Sequence, residues 1–106
     1  EFQRVFAEGC RSGLPGLVVL SRPNGYAGPR LGIAIARKHA RRAVDRNRFR
    51  RQIRESFRLH QSQLGSRDYV VLARSGLEPL SSADLRRELD RHWRVHIQRC
   101  AKSSSP

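Results

Sequence analysis

The sequence is short of acidic residues and of long apolar runs. Its 106 residues include 9 Asp and Glu against 22 Lys and Arg, which gives a formal net charge of +13. No apolar run approaches the ~20 residues of a membrane-spanning helix, so we expect no membrane partner. A surface of this charge concentrates polyanions around it, and nucleic acid is therefore the leading partner.

Cysteine is also scarce. Cys10 and Cys100 lie near opposite ends of the chain, without the short Cys and His spacing of a zinc finger. With no signal peptide, this predicts a reduced, cytoplasmic protein. His92, His96 and Cys100 recur at i, i+4 and i+8, but arginines flank them, so packing at an edge and exposure to solvent explain the spacing better than a zinc site.

Catalytic groups are not clustered in the sequence. The nine acids are scattered, which disfavours a two-metal nuclease held by protein carboxylates. His39 and His60 could form an acid-base pair, but contact with RNA or a surface position explains them better. We therefore predict no catalytic and no metal-binding residues in this chain.

Lysine is nearly absent among the cations, because 20 of the 22 basic residues are arginine. The planar guanidinium binds phosphate oxygens in pairs and stacks on bases, which favours structured RNA or DNA over a charged membrane. The length suits a single core, and we assign 1–100 to one RNA-binding domain and 101–106 to a flexible tail. The chain opens on "EFQRVFAEG" without Met, so we expect some basic sequence to precede it.

Apolar spacing and turn residues predict the order α, β, β, α, β, α. This order is typical of an α+β protein, a small two-layer α-β sandwich with helices on one side of a mostly antiparallel sheet. The first two strands flank Asn24-Gly25 and Gly28-Pro29, which suggests a hairpin. The predicted elements are a short helix around Phe2 and Phe6 that ends at Gly9, strands at 17–20 and 31–36, a helix from about 41 to 60, a strand at 69–73, and a helix from about Ser82 with Ser81 or Ser82 as N-cap.

The second predicted strand has one bulky face and one low face. Its large residues are Leu31, Ile33 and Ile35, and its small residues are Gly32, Ala34 and Ala36. Because alternate side chains point to opposite faces of a strand, one face of the sheet should be a shallow trough along this strand.

The first long helix combines an apolar stripe with a row of arginines. Phe49, Ile53 and Phe57 fall on one side and can pack against the sheet. Residues 37–58 hold ten basic and two acidic residues, and like charges at i, i+4 cost ~0.2–0.5 kcal/mol each. A solvated face is the alternative, but binding to a polyanion explains the density better. No acid lies at the centre of the opposite face, which carries Asn47, Arg51, Arg54 and Arg58, flanked by Arg48 and Arg50.

The stretch "RLGIAIARKHARRAVDRNRFRRQIRESFR", residues 30–58, closely resembles the signature of the bacterial ribonuclease P protein family. In that family an R-x-G strand leads through a basic segment into an R-N-R helix. "EFQRVFAEG", "DYVVLARSG" and "LRRELDRHWRVH" resemble its first helix, late strand and last helix. The matching positions are Arg30, Gly32, Lys38, Ala43, Val44, Arg46, Asn47, Arg48, Arg51, Ile53, Arg54 and Glu55.

The resemblance implies a sandwich like a domain of ribosomal protein S5, with a left-handed β-α-β crossover. It also implies the protein subunit of an endoribonuclease that removes the 5′ leader of precursor tRNA, with the chemistry performed by a catalytic RNA that binds Mg²⁺. No obligate protein partner is expected. A non-catalytic ribosomal or RNA-chaperone protein of similar shape is the alternative.

The resemblance and the chemistry of the residues together suggest two sets of contacts. Some relatives carry an aromatic residue at a position near Leu20, and the leucine side chain cannot stack on a leader base as an aromatic ring would. Phe2 and Phe6 could also serve ordinary helix packing. The expected contacts with the catalytic RNA are Arg42, Arg46, Asn47, Arg48, Arg50, Arg51 and Arg54. The expected contacts with the leader are Phe2, Phe6, Ala34, Ala36, Arg37 and Lys38.

Overall fold

A computed structural model of the protein describes residues 10–14 and 16–101, which form four strands and two α-helices. Phe2, Phe6 and the helix predicted around them lie outside these residues, as does the tail from 102. The strands are β1 (Cys10–Leu14), β2 (Leu17–Pro23), β3 (Arg30–Ala34) and β4 (Arg67–Ala73). The helices are α1 (Ala43–His60), followed by a 3-10 turn (Gln61–Gln63), and α2 (Ser82–Val95), which continues into a π-helical turn (His96–Ala101).

The strand order in the sheet is β1-β2-β4-β3. β1 and β4 each pair antiparallel with β2, whereas β3 pairs parallel with β4, so the prediction of a mostly antiparallel sheet is confirmed. The segment β3-α1-β4 is therefore a β-α-β crossover. Its left-handedness stays a prediction.

The predicted hairpin of β2 with β3 is wrong, and β1 was not predicted. The true hairpin joins β1 to β2, and β4 lies between β2 and β3. The run 17–20 is at most 3% exposed along its whole length. Because a strand buried on both faces belongs inside a sheet, this run needs two partner strands. "CRSGL" supplies one of them without showing any apolar alternation of its own.

The main core lies between one face of the sheet and the two helices, as predicted. Phe57, Tyr69 and Trp93 meet edge to face, with ring centroids 5.7–6.0 Å apart. Trp93 Nε1 donates to Ser56 Oγ at 2.8 Å, which satisfies both buried groups. The predicted stripe Phe49, Ile53 and Phe57 of α1 is at most 8% exposed, and Leu85, Leu89 and Trp93 of α2 are fully buried against the same core.

A buried polar network joins α2 to the sheet at His92 and His96, neither of which is exposed at all. Ser12 Oγ lies 2.5 Å from His92 Nδ1 and 3.1 Å from His96 Nε2. His96 Nε2 also donates to Val19 O at 3.1 Å, and Ser21 Oγ lies 2.8 Å from its Nδ1. The expected exposure of these histidines is therefore wrong, because Ser12 on β1 and Ser21 on β2 give three of the four ring nitrogens partners inside the protein.

Cys10, the first residue of β1, is disulfide-bonded, which corrects the expectation of a reduced thiol at this position. The π-helical turn after α2 packs along β1, so the two ends of the described chain meet. Sequence separation gave no sign of this proximity. In the described part of the chain, no helix has the length and apolarity needed to cross a membrane.

Candidate nucleic-acid interface

The start of α1 is fixed by arginine side chains. Arg42 is the extended residue before the helix, and its Nε lies 3.8 Å from a carboxylate oxygen of Asp45 in the first turn. Arg46 Nη1 donates to the carbonyl oxygens of Ala40 and Arg41, each at 2.9 Å. Arg46 therefore holds the turn that leads into the helix. An RNA contact from Arg46 would have to share this guanidinium.

The outward side of α1 forms an open, shallow depression of about 490 Å³. Arg51 and Arg54 are exposed on it. No described residue gives either guanidinium an ion pair or hydrogen bond. The residues that line the depression are Asn47, Arg50, Arg51, Arg54, Glu55 and Arg58.

Glu55 also lines this depression, whereas the sequence prediction concerned only the centre of this face, where it placed no acid. Its carboxylate accepts from Arg58 Nη2 at 2.5 Å, and this hydrogen bond lowers the pKa of Glu55 and raises that of Arg58. Four arginines and one glutamate leave the depression three positive charges. The pair lies at one end, so the uncompensated charge is concentrated at Arg50, Arg51 and Arg54.

Arg48 faces the second helix instead of the depression. Its Nη1 donates to Ser82 Oγ at 3.2 Å, and its Cζ lies 4.6 Å from the Phe49 ring centroid. Of the seven residues predicted to contact the catalytic RNA, the depression therefore collects Asn47, Arg50, Arg51 and Arg54. Arg42, Arg46 and Arg48 lie outside it. Contact of any of the seven with RNA stays a prediction.

The face of the sheet opposite the helices carries the predicted low strand. Gly32 and Ala34 are exposed on β3 and pair in register with Val70 and Leu72 of β4. A Cβ on Gly32 would lie 4.0 Å from Val70 Cγ2, which is ordinary contact. Leu20 is fully buried and gives this face no accessible surface. We call the exposed surface of Arg30, Gly32 and Ala34 the β3 trough.

The predicted leader contacts after β3 lie in a turn. β3 ends at Ala34, two residues earlier than predicted, and the amide of His39 donates to Ala36 O at 3.0 Å. Ala36, Arg37 and Lys38 are exposed. The structure thus places two cations just beyond one end of the trough.

Tyr26 and Arg30, which lie at the other end, were not among the predicted contacts, although Arg30 was named as a position of the family signature. Tyr26, in the loop between β2 and β3, is 58% exposed, and the Arg30 guanidinium lies against its ring. The sequence signal for Tyr26 was its position as a lone aromatic residue between two turn motifs.

Metal ligands do not come together in the folded chain. Across 10–14 and 16–101, no three His, Cys, Asp or Glu residues are grouped so that they could hold a metal ion.

Comparison with known proteins gives a consistent result. The model of the Ribonuclease P family matches residues 1–96. The chain is 55% identical over 106 residues to the ribonuclease P protein component of Methylococcus capsulatus, covering 100% of this chain and 83% of that one. It is 46% identical over 103 residues to that of Nitrosococcus oceani, covering 97% and 87%.

Solved structures show the same likeness. The RNase P protein of Staphylococcus aureus superimposes with a TM-score of 0.79 at 29% identity, covering 89% of this chain and 86% of that one. The protein from Thermotoga maritima gives 0.73 at 33% identity, covering 88% of each chain. The predicted α+β fold is confirmed by this likeness.

Proposed function

The chain belongs to the ribonuclease P protein family, the subunit that assists an RNA in tRNA 5′ maturation, and from that premise we propose how its two sides divide the work. The depression on α1 binds the catalytic RNA, and the β3 trough binds the 5′ leader of precursor tRNA. Family membership decides against the ribosomal or chaperone alternative. The protein is thus part of an endoribonuclease.

The uncompensated arginines of α1 are the observation that carries the proposal. Arg50, Arg51 and Arg54 share one exposed depression with a single paired carboxylate. Their mutual repulsion destabilises the helix unless counter-charge is bound. Folded RNA supplies phosphates at matching density, and guanidinium forks bind them in pairs. Asn47, in the same depression, can bond a sugar or base edge.

The β3 trough suits an unpaired strand because its floor is low and partly apolar. Gly32 and Ala34 leave room for nucleotides, with Val70 and Leu72 beside them. Arg37 and Lys38 lie beyond its end and can neutralise leader phosphates. Phe2 and Phe6 lie outside the described residues. From the sequence alone, we include them in the proposal as aromatic side chains on which leader bases stack.

The protein contributes binding and charge neutralisation in this proposal, while Mg²⁺ is held mainly by the RNA. The proposal also includes a cytoplasmic location and activity without an obligate protein partner. The reaction is the hydrolysis of one phosphodiester bond, which releases the leader from the tRNA.

Reconstitution with the ribonuclease P RNA of the same organism tests the function. We expect faster cleavage of precursor tRNA at low Mg²⁺ with the protein than without it. Equal rates would contradict the proposal.

A charge-matched pair of variants tests the surface. Arg51→Ala with Arg54→Ala should weaken binding to the RNA and reduce the slope of log K against log salt by ~1 per lost contact. Arg86→Ala with Arg87→Ala removes the same charge from α2. An equal effect from both pairs would mean general electrostatics and would remove the depression from the interface.

A further inference from the structure

The loop between β2 and β3 is shaped by the side chain of Asn24. Its Nδ2 donates to Gly28 O and to Asp68 Oδ1, both at 3.1 Å, and its Oδ1 accepts from the Tyr26 amide at 2.8 Å. Gly25 has φ +73°, which a side chain would disfavour. These bonds fix the backbone of Tyr26 relative to β3 and β4.

The Tyr26 ring rests on a guanidinium that is itself held in place. Arg30 Cζ lies 4.1 Å from the ring centroid. Arg30 Nε and Nη2 donate to the two oxygens of Asp68 at 2.7 and 2.8 Å, a bidentate pair that fixes the guanidinium plane. This hydrogen bonding lowers the pKa of the Asp68 carboxyl, so the pair stays ionised at neutral pH.

Much of the ring is nevertheless open. Tyr26 is 58% exposed, whereas Tyr69, the other tyrosine of the chain, is 1% exposed in the core. An isolated exposed aromatic residue is common and needs no explanation. Here, however, three neighbours position one ring. Arg30 lies beneath it, Asp68 holds the Arg30 guanidinium, and Asn24 shapes the loop that carries Tyr26.

The ring also lies at the end of the β3 trough. Arg30, Gly32 and Ala34 are the exposed alternate residues of β3, so they share one face. At ~3.3 Å per residue, Arg30 is ~13 Å from Ala34. Arg37 and Lys38 follow at the opposite end. A strand that lies along the trough from these cations therefore arrives at Tyr26.

We propose that Tyr26, supported by Arg30, is a stacking platform for one unpaired base of the 5′ leader. This inference rests on the proposed leader path. Bases stack on aromatic rings without regard to sequence, and a cation beneath the ring adds to the attraction. Because the platform is formed before the RNA binds, little side-chain ordering opposes binding.

The test measures binding of precursor tRNA and of leaderless tRNA to the reconstituted holoenzyme. Tyr26→Ala should weaken precursor binding about tenfold and leave leaderless tRNA unchanged. Tyr26→Phe keeps the ring and should match the wild type. Leu59→Ala is the matched control, because Leu59 is 65% exposed but lines the cavity between the helices.

Precursors with one abasic leader nucleotide locate the stacked base. An abasic site at one position should weaken precursor binding by the wild-type holoenzyme about tenfold. The same site should weaken binding by the Tyr26→Ala holoenzyme little, since the ring on which the missing base would stack is already absent. 2-Aminopurine at that position should be quenched by the wild type and Tyr26→Phe but not by Tyr26→Ala. Unchanged melting of the free Tyr26→Ala protein shows that it is folded.

The outcomes separate the platform from the leader path. If the wild type prefers precursor over leaderless tRNA and Tyr26→Ala keeps that preference, the platform is wrong and the path stands. If Tyr26→Ala weakens both RNAs equally, the ring does not act on the leader and the platform is again wrong. If the wild type shows no preference, both proposals fail.

Discussion

Mild acid should unfold the free protein through its two buried histidines. His92 and His96 are completely buried, and burial lowers the pKa of each to about 4, with proximity of the two rings adding to the effect at His92. In the unfolded chain both return to about 6.5. Since protonation is resisted only in the folded state, the stability they confer is complete above pH 6.5 and is lost as the pH falls towards 4.

The size of the effect follows from proton linkage. Between pH 6.5 and 4 the unfolded state binds up to two more protons than the folded state, so unfolding becomes easier by about 3 kcal/mol per pH unit. The free energy of unfolding of a small domain is about 5–15 kcal/mol in total. Two units of acidification therefore remove a large share of it. The lowered pKa of Asp68 acts separately, because its contribution is lost only as the pH falls below the usual carboxyl value of 3.8.

Urea unfolding followed by fluorescence of Trp93, the only tryptophan, measures this between pH 7.5 and 4.5. We expect the free energy of unfolding to fall steeply below pH 6.5. His92→Gln should reduce the slope by about half, because it removes one of the two buried imidazoles. A flat profile down to pH 4.5 would refute the reasoning, because it would require both rings to be accessible or to accept protons without cost.

Three further predictions follow from individual contacts. Gly32→Val should keep the wild-type melting temperature, since a Cβ at this position meets only ordinary contacts. It should weaken the binding of precursor tRNA but not of leaderless tRNA. If the variant binds precursor as tightly as the wild type, the leader does not lie in the trough. Arg46→Ala should cost about 0.5–1.5 kcal/mol in urea unfolding, because two backbone carbonyls lose their donor, whereas Arg51→Ala should change only RNA binding. Equal free energies of unfolding for the two variants would contradict this division. Ser56→Ala should lower the free energy of unfolding by about 1–3 kcal/mol, because the buried Trp93 indole loses its acceptor. An unchanged free energy of unfolding would mean that this hydrogen bond does not stabilise the core.

Local periodicity was enough to predict α1, α2 and the inner core. Phe49 and Ile53 recur four residues apart, and both are fully buried. Ser81 caps α2 by accepting from the Asp84 amide at 3.1 Å, as the N-cap signal suggested. Strand pairing depends on segments far apart in sequence. β1 has no apolar alternation, so only its place beside β2 makes it a strand.

The same limit applies to the basic helix. Helical spacing correctly grouped Asn47, Arg51 and Arg54, because that side of a helix depends only on the helix itself. It could not separate Arg46 or Arg48 from them. The guanidinium of Arg46 reaches the turn before α1, and that of Arg48 reaches Ser82. Both partners are placed by tertiary structure.

Arginine therefore has two physical roles in this protein. Arg30 and Arg46 donate hydrogen bonds to acceptors within the protein, which fixes their side chains and shapes the surface around them. Arg51 and Arg54 receive no counter-charge from any described residue and leave a field that falls as salt is added. The two roles separate experimentally, because loss of a chain contact changes stability at every salt concentration, whereas loss of an uncompensated charge changes RNA affinity most at low salt.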